Sequence, residues 1–295
     1  MEHHPVFADV PRWCGTMAPG WTIDFLGVKT DQRFERGMPY HVDRTEPCYQ
    51  KPPLPGFDEE YFEWIDVLES VKAATDQFTM IELGAGYGRW IARAAAALRQ
   101  INLLPFKLVA VEPEPTHFRW LREHLRSNGV DPTAHELIEA AVTAEGRRVP
   151  FHVGNPSGWY GQAVAQAPSR RFFRRMARFV RSLGSRTSAE VSIAWVPAVA
   201  LREILERHPR VDLIDLDLQG AEAEVLASAI DTFDRQVRRV HVGTHSKQIE
   251  KSLRDLFSVR GWILLNDYAC LSLNQTPFGE IRFEDGVQTW LNPRL

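Results

Sequence analysis

The stretch Met80 to Trp90, MIELGAGYGRW, ends an apolar run in an acid, Glu82, and then places glycines at 84, 86 and 88. Glycines at this density give the backbone positive-φ freedom and let a ligand approach the main chain closely. The spacing matches neither common phosphate cradle. A dinucleotide fingerprint has its last glycine one residue later, and a P-loop ends in Gly-Lys-Ser/Thr. Here an acid precedes the turn and no lysine closes it. A carboxylate beside the turn suits a ligand carrying hydroxyls and an ammonium group better than a pyrophosphate. Downstream, Glu112 follows the apolar run VAV. In βαβ nucleoside sites a carboxylate at that place accepts both hydroxyls of a ribose. Glu139, in IEAAV, is the nearest polar candidate for a base edge. Asp215 and Asp217, in LIDLDLQG, sit two apart on one strand and so share a face. Two acids on one face invite a divalent cation. His241 and His245, in HVGTH, supply imidazoles, which titrate near neutral pH.

These residues need a scaffold, and the periodicity supplies one. FTMIEL reads as a strand, followed by the glycine turn and the helix RWIARAAAALRQ. FKLVAVEP, HELIEAAV, VDLIDLDL and VRRVHVGTH read as further strands. The helices EPTHFRWLREHLRSNGV, AEAEVLASAIDTFDRQ and KQIEKSLRDLFSVRG lie between or after them. RRVPFHVGN reads as a short strand beside the third. VSIAWVPAVALREILERH runs from strand into helix, and WILLNDYACLSL with GEIRFEDGVQTWL closes the chain as two antiparallel strands. Alternating strands and helices predict a parallel sheet with helices on both faces, with ligands at the carboxyl ends of the strands. Residues 1–75 read as an N-terminal extension ending in a helix and packed on the core. Residues 76–295 read as the main domain. Its one interruption is a basic segment at about 156–190, where SRRFFRRMARFVRSL has arginines and an apolar stripe at helical spacing.

Bulk properties bound the function. An apolar content of 44% supports a sizeable core, and a net charge of −3 gives no global argument for nucleic acid. The three cysteines, Cys14, Cys48 and Cys270, form no paired framework, so a reducing, cytoplasmic setting is expected. No stretch is long and apolar enough to span a membrane, and the N-terminus lacks a secretory pattern.

The motifs MIELGAGYG, VAVEPEP, IEAAV and especially VDLIDLDLQGAEAEVLASA, with its D-x-x-G-x-E at Asp217, Gly220 and Glu222, resemble the FkbM family of S-adenosylmethionine-dependent methyltransferases. The resemblance covers roughly residues 78 to 270 apart from the basic insert. It implies a Rossmann-like class I methyltransferase fold, with a mostly parallel seven-stranded sheet whose last strand is antiparallel. It also implies transfer of a methyl group to a hydroxyl of a sugar, glycan or glycosylated natural product. Glu82, Gly84, Ala85, Gly86 and Gly88 would hold the methionine part and ribose. Glu112 with Pro113 would meet the ribose diol, Glu139 with Ala140 the adenine, and Asp217 the donor or acceptor.

The sequence departs from the family at the acceptor side. Asp215 stands where a lysine is usual and Gln219 where a glutamate is usual, and HVGTHS replaces a Glu-x-His pattern. His245 is the first candidate for general base, with His241 and Asp217 beside it. Asp217, Asp215 and His245 are the expected ligands if a divalent cation such as magnesium takes part. Trp159, Tyr160 and Gln219 are the acceptor candidates. The arginines of the insert suit an acidic or phosphorylated acceptor or a peripheral membrane contact, and an oligomer is compatible with the sequence. Two other functions fit less well. A non-catalytic nucleoside- or RNA-binding protein on this fold is one. A nicotinamide oxidoreductase is the other, disfavoured by the glycine spacing and by the absence of a Tyr-x-x-x-Lys run.

Overall fold

A computed structural model describes residues 2–36, 43–153 and 192–295 of the chain. The basic insert, with Trp159 and Tyr160, lies outside the described residues. Seven strands form the central sheet: β1 Phe78–Leu83, β2 Phe106–Val111, β3 Glu136–Ile138, β4 Val211–Leu216, β5 Val237–Thr244, β6 Ile263–Tyr268 and β7 Gly286–Leu291. Their spatial order is β3-β2-β1-β4-β5-β7-β6. Strands β1 to β5 pair parallel, and β7 pairs antiparallel to both β5 and β6. The expected sheet with a reversed last strand is therefore observed. The chain reverses direction of travel across the sheet between β1 and β4, which makes the carboxyl ends of those two strands the switch point where a crevice opens.

Six α-helices accompany the strands among the described residues: α1 Glu60–Ala73, α2 Arg89–Ile101, α3 Pro115–Ser127, α4 Leu201–Leu205, α5 Glu222–Gln236 and α6 Lys247–Ser258. Strand side chains alternate between two apolar clusters. Phe78 and Met80 of β1 and Leu108 and Ala110 of β2 join α1, α2 and α3. Ile81, Leu83, Val109 and Val111 join α4, α5 and α6 on the other face. The N-terminal residues Val6, Phe7, Phe25 and Leu26 are buried in the first of these clusters. Phe25 lies 4.8 Å from the Trp64 ring of α1.

Three local expectations change. The chain end is not two strands but four: a separate hairpin, Ser272–Thr276 with Gly279–Phe283, stands between β6 and β7. The reversal at Thr276-Pro277-Phe278-Gly279, with Gly279 at φ 97°, makes this possible. Strand Val149–Val153 does not lie beside β3. It pairs antiparallel with Ser192–Val196, and Ala198–Ala200 instead pairs parallel with Ala141–Thr143. Residues before α1 also hold more order than their composition suggests. Two short ladders, Gly15–Met17 with Cys48–Gln50 and Trp21–Ile23 with Lys29–Asp31, are present. No helix among the described residues is long and apolar enough to cross a membrane.

Candidate active site

A cavity of about 270 Å³ opens at the carboxyl ends of β1, β4 and β5. The glycine turn forms one wall, and two of its glycines are required for different reasons. Gly84 has φ 81°, and a Cβ there would sit 2.0 Å from the Asp217 carbonyl oxygen. Gly88 has φ 74°, and a Cβ there would meet Leu121 Cδ1 at 2.2 Å. Between them Tyr87 is buried against Phe34 and donates its hydroxyl to Glu35 Oε1 at 2.9 Å, so the N-terminal segment pins the turn. Gly84 and Ala85 both donate to the Val111 carbonyl at 3.0 Å, fixing the turn to the end of β2.

Glu82 is buried and lines the cavity, but its carboxylate also accepts from the Trp90 and Ile91 amides at 3.3 and 3.1 Å. It therefore caps the N-terminus of α2, where amide donors and the helix dipole favour an anion. Burial, reinforced by Asp215, raises its pKa well above the usual carboxyl range. Glu112 is also buried in the wall. Oε2 accepts from the Gly86 amide and Oε1 from the Glu114 amide, each at 2.8 Å. Each oxygen keeps a second lone pair, and the residue lines the cavity beside the turn. Burial pushes this carboxyl up to about 8. Pro113 and Ala140 line the same cavity. Glu139 does not: it is exposed, because β3 ends at Ile138 and the chain there turns its next side chain outward.

The floor follows from strand register. Asp215 of β4 is paired with Glu82 on one side and His241 on the other. The three lie in one row, and strand alternation turns them toward α1. There Glu63 joins them at the cavity, and Asp66, three residues on along α1, lies behind. His241 Nδ1 donates to Asp66 Oδ2 at 2.8 Å. Asp66 also accepts from Arg239 Nη1 at 2.9 Å and from Thr289 Oγ1 at 2.5 Å. A carboxylate flanked by a guanidinium accepts, so Nδ1 carries a hydrogen, and in the neutral ring Nε2 is the nitrogen with the lone pair. Burial pushes Asp215 up to about 6, even with His241 beside it.

The second acid is separate. β4 ends at Leu216, and the Asp217 side chain is 50% exposed at the rim. The expected set Asp215, Asp217 and His245 is therefore not assembled. Asp215 groups with Glu63 and His241, whereas Asp217 groups with Glu222 and His245.

His245 does not fit the role of general base. Nδ1 lies 2.9 Å from Glu222 Oε1, and Nε2 lies 3.2 Å from Asp217 and 3.5 Å from Asp285. Burial alone would lower its pKa, but Asp217 and Glu222 outweigh it and hold it well above the ordinary histidine value. An imidazolium clamped among three carboxylates has no lone pair to take a proton or bind a metal. Its positive charge in turn holds Asp217 below the usual carboxyl range, against the opposing effect of burial. Gln219, at φ 54°, donates to Asp217 Oδ1 at 2.8 Å and lines the rim.

Sequence reading missed Glu63, Asp66, Tyr87, Arg89 and Asp285. The signal for Asp66 was present: an acid inside the apolar run WIDVL of a helix is costly unless something buried pairs with it. Among the described residues, the cavity lining holds eight carboxyl groups (Glu59, Glu60, Glu63, Glu82, Glu112, Asp215, Asp217 and Asp285) against one guanidinium, Arg89. Arg89 is held by Glu60 Oε1 and the Tyr87 hydroxyl, at 2.5 and 2.9 Å. The site is thus built for a ligand carrying positive charge.

Strand order, the glycine turn at the switch point and the carboxylate after β2 define a class I methyltransferase fold. The profile of the methyltransferase FkbM domain matches residues 82–270, and the chain belongs to that family. A protein of Jannaschia sp. (strain CCS1) whose name carries the word methyltransferase is 24% identical over 283 residues, 95% of each chain. Among solved structures, methyltransferase FkbM from Methylobacillus flagellatus KT aligns with TM-score 0.42 and 10% identity, over 80% of this chain and 55% of that one. Precorrin-6y C5,15-methyltransferase from Geobacter metallireducens GS-15 aligns with TM-score 0.40 and 10% identity, over 76% and 85%.

Proposed function

We propose that this methyltransferase uses S-adenosylmethionine and transfers its methyl group to a hydroxyl of a sugar or glycosylated small molecule. The observation that carries the donor half is Glu112. Its carboxylate is oriented by two backbone amides at the end of β2, lines the cavity and has acceptor capacity left on both oxygens, which suits a vicinal diol. Gly84, Ala85 and Gly86 bring main chain rather than side chain to the cavity wall beside it. The surplus of acids suits a donor bearing an ammonium and a sulfonium. When bound, S-adenosylmethionine supplies an activated methyl group for in-line displacement.

The chain's own residues have three tasks. The glycine turn and Glu112 orient the nucleoside, Trp90 and Tyr87 help close the wall against water, and the floor handles the acceptor's proton. Of the two histidines, His241 is suited to that last task, because Asp66 orients its ring and leaves Nε2 able to accept. The acidic lining favours a neutral or cationic acceptor over a phosphorylated one, and it works against a polyanion such as RNA in this cleft.

The test is transfer of a labelled methyl group from the donor to a panel of hydroxylated acceptors, followed by identification of the labelled atom. Label on a hydroxyl oxygen, with the rate of the His241→Gln variant reduced about 100-fold or more, is the expected result. Label on nitrogen or carbon would refute the acceptor assignment.

A further inference from the structure

We propose that Glu63, Asp215 and His241 form a binding site for one divalent cation at the floor of the cavity. One ligand atom from each of the three lies within 4.8 Å of the others. They come from three elements, α1, β4 and β5, and the direct pairing of Asp215 with His241 in the sheet fixes two of them rigidly. All three line the cavity, so a cation held there keeps open positions toward it.

Two independent observations point to a ligand. Asp215 is 5% exposed, and its Oδ1 is buried with no hydrogen-bond partner. A buried carboxylate oxygen left alone is costly, and it belongs to a residue lining the cavity, where a cation would satisfy it. The second is the support behind His241. Its Nδ1 donates to Asp66, which Arg239 and Thr289 hold in turn. This is the carboxylate–histidine arrangement that orients a metal-binding imidazole and presents Nε2.

The neighbouring group of Asp217, Glu222 and His245 differs. Glu222 Oε1 already accepts from the Leu218 and Gly220 amides as well as facing His245. There the imidazolium itself supplies the positive charge among the three acids, whereas the guanidinium nearest Glu63 and Glu82, Arg89, is held by Glu60 and Tyr87. One imidazole nitrogen with two carboxylates suits Mn²⁺ or Zn²⁺ better than Ca²⁺, which takes oxygen ligands in larger number. A cation here would act as a Lewis acid on the acceptor hydroxyl and would do so in place of His241 as base, since a coordinated Nε2 has no lone pair left to accept a proton. That role rests on the methyl-transfer reading, but the binding itself does not.

The test uses the full chain, stripped with chelator and titrated with MnCl₂ and, separately, ZnCl₂ and CaCl₂, with no donor or acceptor present. Calorimetry is expected to show one equivalent of Mn²⁺ or Zn²⁺ bound and weaker Ca²⁺. Pulsed electron paramagnetic resonance of bound Mn²⁺ should show coupling to an imidazole nitrogen. Asp215→Asn and Glu63→Gln should each weaken Mn²⁺ binding by at least the about 10–100-fold that loss of an outer-shell partner costs. Circular dichroism of each variant confirms that it is folded. The proposal is overturned if Mn²⁺ and Zn²⁺ both fail to bind at millimolar concentration, or if binding is unchanged in both variants. It is also overturned if the variants abolish binding of ethanolamine while metals never bind, which would assign the site to an acceptor ammonium. Titration of S-adenosylhomocysteine on the same metal-free preparation reports the donor site separately.

Discussion

Gly84→Ala is expected to remove donor binding and to destabilise the protein by about 3 kcal/mol or more, a loss in the range of strained backbone and overpacked sites. Two effects combine. The residue sits at φ 81°, where an L side chain costs roughly 1–2 kcal/mol. The added Cβ would also lie 2.0 Å from the Asp217 carbonyl oxygen and 3.2 Å from its carbon. Those are backbone atoms and cannot rotate aside. Asp217 is tied in turn to the Leu83 carbonyl through its amide at 3.0 Å, and Gly84 is tied to Val111 at 3.0 Å, so the strand ends must separate. Gly88→Ala provides the contrast. Its Cβ meets the tip of Leu121, which can change rotamer, so a smaller loss of about 1–2 kcal/mol is expected. Denaturant midpoints and S-adenosylhomocysteine titrations of the two variants give the comparison. Equal losses would show that the Asp217 carbonyl is not the constraint.

The second large effect is expected from Asp66→Asn, at about 3–5 kcal/mol of stability, the cost of breaking a buried ion pair from one side. Asp66 is 1% exposed and receives three donors: Arg239, His241 and Thr289. The amide replaces one accepting oxygen with a donating group that faces a donor. Arg239, itself buried, would keep only Glu69, at 2.8 Å, as a charged partner. The matched control is Glu69→Gln. Its side chain is 37% exposed, so loss of that pair should cost no more than about 1 kcal/mol. Urea unfolding of both variants measures the difference. A loss at Asp66 no larger than that at Glu69 would mean the buried network is not holding β5 to α1.

Much of the scaffold was legible because its signals are local. Phe78–Leu83, Phe106–Val111 and Val211–Leu216 are apolar runs that end at glycine, proline or acid, and the helices between them carry clear periodicity. The turn at 84–88 and Glu112 were legible as cavity-lining residues for the same reason, since they follow directly after their strands. The floor was not. That Asp215 stands between Glu82 and His241 is a matter of register among β1, β4 and β5, and a period-two pattern says nothing about which residues meet across strands. The shared face assigned to Asp215 and Asp217 failed because the strand stops between them. His245 looked like a base until three carboxylates converged on it from α5, the β4 loop and the residue before β7. Glu63 and Asp66 lie in a helix assigned to the N-terminal extension, far in sequence from the strands they serve.

The central claim is that Glu112 and the glycine turn form a donor site, and calorimetric titration of S-adenosylhomocysteine tests it most directly. One equivalent should bind. Glu112→Gln should weaken binding by about 1–3 kcal/mol, because the amide turns one diol-facing oxygen into a donor. The pH dependence has a defined sign. Burial raises the Glu112 carboxyl to about 8, so the unliganded fold is favoured by its protonated form. That contribution to stability is fully present below the unfolded carboxyl pKa and is lost as pH rises through about 8. A ligand that prefers the carboxylate must displace the proton below that pH. Wild-type affinity is therefore expected to strengthen between about pH 6.5 and 8.5, with a shallower dependence in Glu112→Gln. Failure of the wild type to bind at millimolar ligand, or an unchanged affinity in Glu112→Gln at pH 8.5, would contradict the account.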